Sequence, residues 1–97
     1  MKLRLTPRAL REAKRRKSWW LQNRPLAPQR FEQELDEVLD RILGTPTLGV
    51  EYPSKLDMPV RRVLMKKTKT HVYFSVEDDV VYILSVWGAQ RGRGPKL

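Results

Sequence analysis

The sequence predicts an α+β fold in the order β-α-α-β-β-β, with a helical hairpin packed on a small, mostly antiparallel sheet. Three observations lead there. Residues 2–5 alternate Lys-Leu-Arg-Leu, the period of a strand. Residues 31–43 place Phe31, Leu35, Val38, Leu39, Ile42 and Leu43 at i, i+4, i+7, i+8, i+11 and i+12, the apolar stripe of a one-faced helix. Residues 70–76 and 80–87 are β-rich runs separated by the polar turn Glu77-Asp78-Asp79, which reads as a hairpin.

Taken in order, residues 2–5 form a short strand with Leu3 and Leu5 inward. Thr6-Pro7 then starts a helix, the threonine as N-cap and the proline at a first position where its missing N–H costs nothing. That helix spans residues 7–22, because Asn23-Arg24-Pro25 stops it. A second helix spans 28–43, with Pro28 in its first turn and Gly44 as its C-terminal cap. Only about five residues separate the helices, so they form an antiparallel hairpin. Residues 44–59 read as irregular, since Gly44, Pro46, Gly49, Pro53 and Pro59 break every period. Strands follow at 60–65, 70–76 and 80–87, the last apolar on both faces except for Ser85, as a central strand is. Residues 88–97 remain as a basic tail, and no internal repeat is present. The 97 residues make one domain, 1–97.

Composition narrows the function. There are 20 Lys plus Arg against 11 Asp plus Glu, a formal charge of +9, with one His and no Cys. Disulfides and thiolate zinc sites are thereby excluded, and one His builds no His-rich metal site, so neither metal nor cofactor is expected. Absence of cysteine fits a reducing compartment, and a cytoplasmic protein is expected. No apolar run approaches the roughly 20 residues of a membrane span, and residues 1–16 lack the apolar centre of a signal peptide. A strong positive charge calls for an acidic partner, nucleic acid and acidic protein serving equally. The charge is segregated: Lys2 to Lys17 is basic apart from Glu12, Phe31 to Arg41 is acidic, and Arg61 to Lys69 and the tail are basic again. Helices of opposite sign suggest an attractive pair.

Within the first helix, 100° per residue puts Leu10, Ala13, Lys17, Trp20 and Leu21 on one side and Arg8, Arg11, Arg15 and Trp19 on the other. Trp20 is expected in the core. Trp19 then ends a basic stripe that is either a solvated charged face or a contact surface, Trp and Arg being enriched at binding hot spots. No nucleophile stands beside a base. Cleavage of RNA through its 2′-hydroxyl is the one chemistry open to a basic, metal-free chain, and it requires cations together with proton shuttles. Arg61, Arg62, Lys66, Lys67 and Arg91 are candidate cations. His71 is the candidate base, on the face shared with Tyr73 and Ser75 and opposite Val72, Phe74 and Val76; a packing role for it and for Tyr73 is the alternative.

The start Leu-Arg-Leu-Thr-Pro-Arg-Ala-Leu (residues 3–10), the loop at Pro46 to Gly49, the run Arg61-Arg62-Val63-Leu64, the hairpin from His71 to Val81 and the ending Val86 to Pro95 together resemble the RelE/ParE superfamily of bacterial toxins. The resemblance covers essentially the whole chain. It implies a toxin of a type II toxin–antitoxin module, neutralised in a hetero-oligomeric complex by a cognate antitoxin whose acidic C-terminal segment folds around it. Partner-binding residues are then expected among Arg8, Arg11, Arg15, Trp19, Arg61 and Arg62, with a strand of the antitoxin added at a sheet edge near 60–65. RelE-like members cut messenger RNA on the ribosome with a basic cluster and a Tyr or His close to the C-terminus, whereas ParE-like members inhibit DNA gyrase. Residues 88–97 hold neither Tyr nor His, which places the chain with the ParE-like branch. Target binding is expected through Arg91, Arg93 and Lys96. The alternative is a ribosome-dependent endoribonuclease using Arg61, Arg62, Arg91, His71 and Tyr73.

Overall fold

The computed structural model describes residues 1–97. Elements follow the order β1 (Lys2–Leu5), α1 (Pro7–Asn23), α2 (Arg30–Gly44), β2 (Val50–Tyr52), β3 (Val60–Met65), β4 (Thr70–Glu77) and β5 (Val80–Gly88), ending in a 3₁₀ turn over Ala89–Arg91. The five strands make one sheet in the order β1-β5-β4-β3-β2. All neighbours are antiparallel except β1 and β5, which run parallel with Leu3 opposite Val81 and Leu5 opposite Ile83. The sheet is therefore mixed, and the chain is α+β with both helices on one face.

Local chemistry sets the helix ends. Thr6 Oγ1 accepts from Ala9 N–H at 3.1 Å, and Pro7 opens α1. The second helix begins at Arg30 rather than 28, because Arg30 N–H donates to Ala27 O and closes a turn over Pro28 before the helical ladder starts. Gly44 is its last residue, with the cap one position later at Thr45.

Residues 44–59 are not wholly irregular. Three of them, Val50–Tyr52, pair with Arg62, Arg61 and Val60 as the edge strand β2. Gly49 enters that strand with φ +84°, and a side chain there would meet the Arg62 carbonyl, its Cβ at 2.1 Å. Consequently Val60–Arg62 is not a free edge. The free edges are β1, β2 and the end of β3 beyond Arg62, where β2 has stopped.

One core lies between helices and sheet: Ala9, Ala13 and Trp20 of α1, Phe31, Val38 and Ile42 of α2, and Val63, Met65, Val72, Phe74, Val81, Ile83 and Val86 of the sheet. Trp20 is buried and Trp19 is 41% exposed, as their positions on the helix require. The inward stripe of α1 is nonetheless rotated from the expected one. Leu10 and Leu21 are 45% and 48% exposed, and the alanines Ala9 and Ala13 face the sheet, letting the helix backbone approach β5 closely. On β5 the inward positions change parity, Val81 and Ile83 giving way to Val86, because the strand spends one extra residue, Leu84, between the pairs Phe74–Ile83 and Tyr73–Ser85. That bulge explains why β5 reads as apolar on both faces.

Candidate functional site

The face of the sheet turned away from the helices carries His71, Tyr73 and Arg62, and the C-terminal residues cross it. These residues are not a loose tail. After the 3₁₀ turn, Gly92 at φ +78° reverses the chain, and the strap is then fixed from four directions. Trp87 Nε1–H donates to Arg93 O at 2.8 Å, Tyr52 Oη–H to Pro95 O at 2.9 Å, Arg8 Nη1–H to Lys96 O at 2.8 Å and Lys55 N–H to Leu97 O at 2.9 Å. Pro95 is buried, and Gly94 lies so close to the Tyr52 ring that a Cβ would stand 2.1 Å from its hydroxyl. The side chains of Arg91, Arg93 and Lys96 stay exposed on this fixed backbone. Trp87 supplies a platform, with the Arg91 guanidinium 4.2 Å and the Arg8 guanidinium 5.8 Å from its ring centroid.

Beneath the strap is a cavity of about 310 Å³ lined by Arg62, His71, Tyr73, Trp87, Arg93 and Gly94, among others. The His71 and Tyr73 rings meet edge-on at 5.9 Å. Burial pushes the His71 pKa below its ordinary 6.5, and the Arg62 charge pushes it the same way, so the imidazole is neutral at neutral pH. Burial raises the pKa of Tyr73, partly offset by the Arg62 guanidinium, so its phenol keeps its proton. Tyr73 is 1% exposed and packs edge-on against Tyr52 at 4.6 Å. Of the residues considered for RNA cleavage, Arg62, His71 and Tyr73 share this cavity. Arg61 turns away, its guanidinium donating to Leu48 O and Gly49 O at 3.1 and 2.7 Å, and Arg91 lies over Trp87.

The basic residues of α1 divide by role. Arg8 is held by Glu12 at 3.3 Å and by the strap. Arg16 is half-buried, donating to Thr68 O and Thr70 Oγ1 at 2.9 Å each, and its pKa is lowered by burial and then by Arg91. Arg11, Lys14 and Arg15 are exposed, and none is ion-paired. Trp19 lies under Arg24 at 5.0 Å and Arg16 at 5.8 Å, extending the basic stripe towards the hairpin tip.

A larger groove of about 550 Å³, sharing Arg62 and His71 with the cavity beneath the strap, opens between α2 and the uncovered end of β3, bordered also by Arg41, Val50, Leu64, Lys66 and Lys67. Val50 and Leu64 are 56% and 40% exposed there. On its α2 side the Glu34 carboxylate accepts from Lys67 N–H, Thr68 N–H and the Thr68 hydroxyl at 2.7–2.9 Å, closing the β3–β4 turn.

Four residues that organise these sites, Tyr52, Trp87, Glu12 and Glu34, do not stand out in the sequence as functional. Glu12 is the one with a signal, being the lone acid among the bases of residues 2–17. Its Oε1 accepts from Ser85 Oγ–H and Val86 N–H at 2.8 and 3.1 Å, joining α1 to β5 beside the bulge.

No helix is long and apolar enough to cross a membrane. No curated protein matches the chain. Among solved structures it is similar to one described as a chromosomal ParDE toxin–antitoxin system from P. aeruginosa, at 15% identity and a TM-score of 0.65, with 93% of this chain and 97% of that one covered. This likeness shows a shared fold. The family model described as the ParE toxin of the type II toxin–antitoxin system parDE matches residues 3–92. Nearly every element described above falls within that match, from the Leu3 strand through the Trp87 platform to the Gly92 reversal, and the chain belongs to the ParE toxin family of type II toxin–antitoxin systems.

Proposed function

We propose that this ParE-family toxin arrests growth by binding DNA gyrase through Arg91, Arg93 and Lys96, and that a cognate antitoxin with an acidic C-terminal segment neutralises it. One observation carries the reading: three cations stand exposed on a backbone pinned by Trp87, Tyr52, Arg8 and Lys55. A flexible basic tail loses conformational entropy on docking, and a pinned one has already lost it, so more of the contact energy goes into affinity. A purified gyrase supercoiling reaction tests this. Added toxin stops supercoiling near stoichiometric amounts; unimpaired supercoiling at a large excess contradicts the proposal.

Of the residues expected to meet a partner, Arg8 and Arg61 are engaged by the fold, leaving Arg11, Arg15, Trp19 and Arg62 available. The antitoxin's segment fits the α2–β3 groove, where exposed Leu64 and Val50 sit among Arg41, Arg62, Lys66 and Lys67. Opposite charges speed encounter, so raising salt until the Debye length falls from roughly 10 to 3 Å slows association markedly. A salt-independent on-rate would assign the interface to apolar contacts alone.

The convergence of Arg62, His71 and Tyr73 in one cavity favours a second reading, cleavage of messenger RNA on the ribosome. Primer extension on translating ribosomes distinguishes it, since codon-positioned cuts lost in His71→Ala and Tyr73→Phe would support this reading over gyrase binding.

A further inference from the structure

Folding consumes little of this protein's positive charge. Of its 20 lysines and arginines, only Arg8 and Lys17 have a carboxylate within 4.0 Å. The acids Glu32, Glu34, Asp36, Glu37 and Asp40 all lie on α2. Glu12, the only acid on α1, is spent on Ser85, Val86 and Arg8. Arg8 and Lys17 apart, the cations of α1, Arg11, Lys14 and Arg15 among them, have no carboxylate partner.

Three arginines from two elements come together. Arg15 and Arg16 of α1 and Arg91 of the strap line one crevice beside Trp87 and Gly88, together with a single carboxylate, Glu12, whose oxygens are already engaged by Ser85, Val86 and Arg8. Like charges gathered this way repel, and Arg16 Nε is buried with no acceptor. A phosphate lying against them from outside would relieve the repulsion. From this crevice the exposed cations Arg15, Lys14 and Arg11 run along α1, and Arg93, also exposed, follows Arg91 two residues later on the strap.

We propose that the face formed by Arg11, Lys14 and Arg15 of α1 with Arg91 and Arg93 of the strap binds the sugar-phosphate backbone of double-stranded DNA directly, with no protein target needed to hold it. One observation favours a duplex over an acidic polypeptide, and a second is compatible with it. The first is the lack of a pocket: the crevice holds only about 20 Å³, whereas the α2–β3 groove, at about 550 Å³ with exposed Leu64 and Val50, offers a peptide apolar anchors. The second is spacing. Arg11 and Arg15, four residues apart on a helix, are separated by a rise of about 6 Å, close to two successive phosphate steps of about 3.4 Å each along the duplex axis. Contacts of this kind position without reading bases, so binding is indifferent to sequence. The gyrase reading enters only as the source of the duplex, because a gyrase bound to its DNA would present one beside the strap.

The test is fluorescence anisotropy of the full-length protein with a labelled duplex of about 20 base pairs, without gyrase. Binding is expected at 50 mM salt, equal for unrelated sequences, with log affinity falling against log salt at a slope of about −3 to −5 for four or five phosphates. Arg15→Glu with Arg91→Glu lowers affinity more than tenfold. Arg30→Glu with Lys2→Glu, an equal charge change at two exposed positions outside this face, lowers it less than threefold. Arg11→Ala with Lys14→Ala, both on exposed positions, repeats the loss in milder form should the double reversal fail to fold. Absence of binding at 50 mM salt overturns the proposal, and so does equal weakening by the outlying pair. Poly-glutamate displacing the duplex at matched charge concentration would assign the face to an acidic protein instead. Duplex binding by a toxin that leaves gyrase unimpaired would sustain this proposal while the gyrase reading fails.

Discussion

The two helices are similar in length, 17 and 15 residues, lie on the same face of the sheet and carry opposite charge, yet they use that charge differently. Their segregation in sequence suggests mutual attraction, but one ion pair joins them, Lys17 to Glu32 at 3.4 Å with both partners about half exposed. Such a pair contributes roughly 0–1 kcal/mol. The hairpin is held by Trp20, Phe31, Val38 and Ile42 over the sheet. On α2 one acid serves the fold, Glu34, which closes the β3–β4 turn with three hydrogen bonds, while Asp36, Glu37 and Asp40 make no ion pair. On α1 the exposed cations Arg11, Lys14 and Arg15 hold nothing in the protein itself. On the proposed reading, those cations are available to a partner.

The contrast can be broken at several points. Phe31→Ala empties a position that is 1% exposed and should cost about 3–5 kcal/mol in urea unfolding; a loss under 1 kcal/mol would mean that charge, not packing, holds α2. Glu34→Ala strands the Thr68 N–H and hydroxyl, at a residue 1% exposed, and is expected to cost about 1–3 kcal/mol. A neutral result would remove the fold role of this α2 acid. The strap can be loosened by Gly94→Ala, whose Cβ would be driven into Tyr52; a loss of about 1–3 kcal/mol is expected, with weaker target binding alongside it.

His71 gives a pH test with a definite sign. Its folded-state pKa lies below the ordinary 6.5, so the unfolded chain binds the proton more readily. Its contribution to stability is complete above about pH 6.5 and is lost as pH falls from there through the folded value. Unfolding curves at pH 8 and pH 5 should show that His71→Asn shrinks the acid-side loss; an unchanged pH dependence would contradict the placement of His71 beside Arg62. The smallest effect belongs to α1. Arg11→Ala and Arg15→Ala should each change stability by no more than about 0.5 kcal/mol. A larger loss would return these cations to the fold.

Thr6-Pro7, the apolar stripe from Phe31 to Leu43 and the turn at Glu77–Asp79 made the helical hairpin and the β4–β5 hairpin legible in the sequence, since each is a local signal. What was not legible depends on distant partners. Val50–Tyr52 is too short to show a period and becomes a strand only because Gly49 can lie against the Arg62 carbonyl. The parallel pairing of β1 with β5 joins the two ends of the domain. The face of α1 was misjudged by its leucines, because close approach to the sheet selected Ala9 and Ala13 instead. At the candidate site the cations Arg91, Arg93 and Lys96 could be named from charge, but the residues that fix their backbone could not. Trp87 and Tyr52 act by donating to backbone carbonyls six and 43 positions away, contacts that leave no pattern in side-chain types.

The central claim is that the pinned cations serve a target and not the fold. Its most direct test is gyrase supercoiling titrated with the native toxin and with an Arg91→Ala, Arg93→Ala double variant, the melting temperature of each recorded in parallel. The account predicts inhibition by the native protein near stoichiometric amounts, and at least a tenfold higher requirement for the variant at an unchanged melting temperature. Inhibition by the variant at native concentrations, or supercoiling that neither protein impairs, would contradict it.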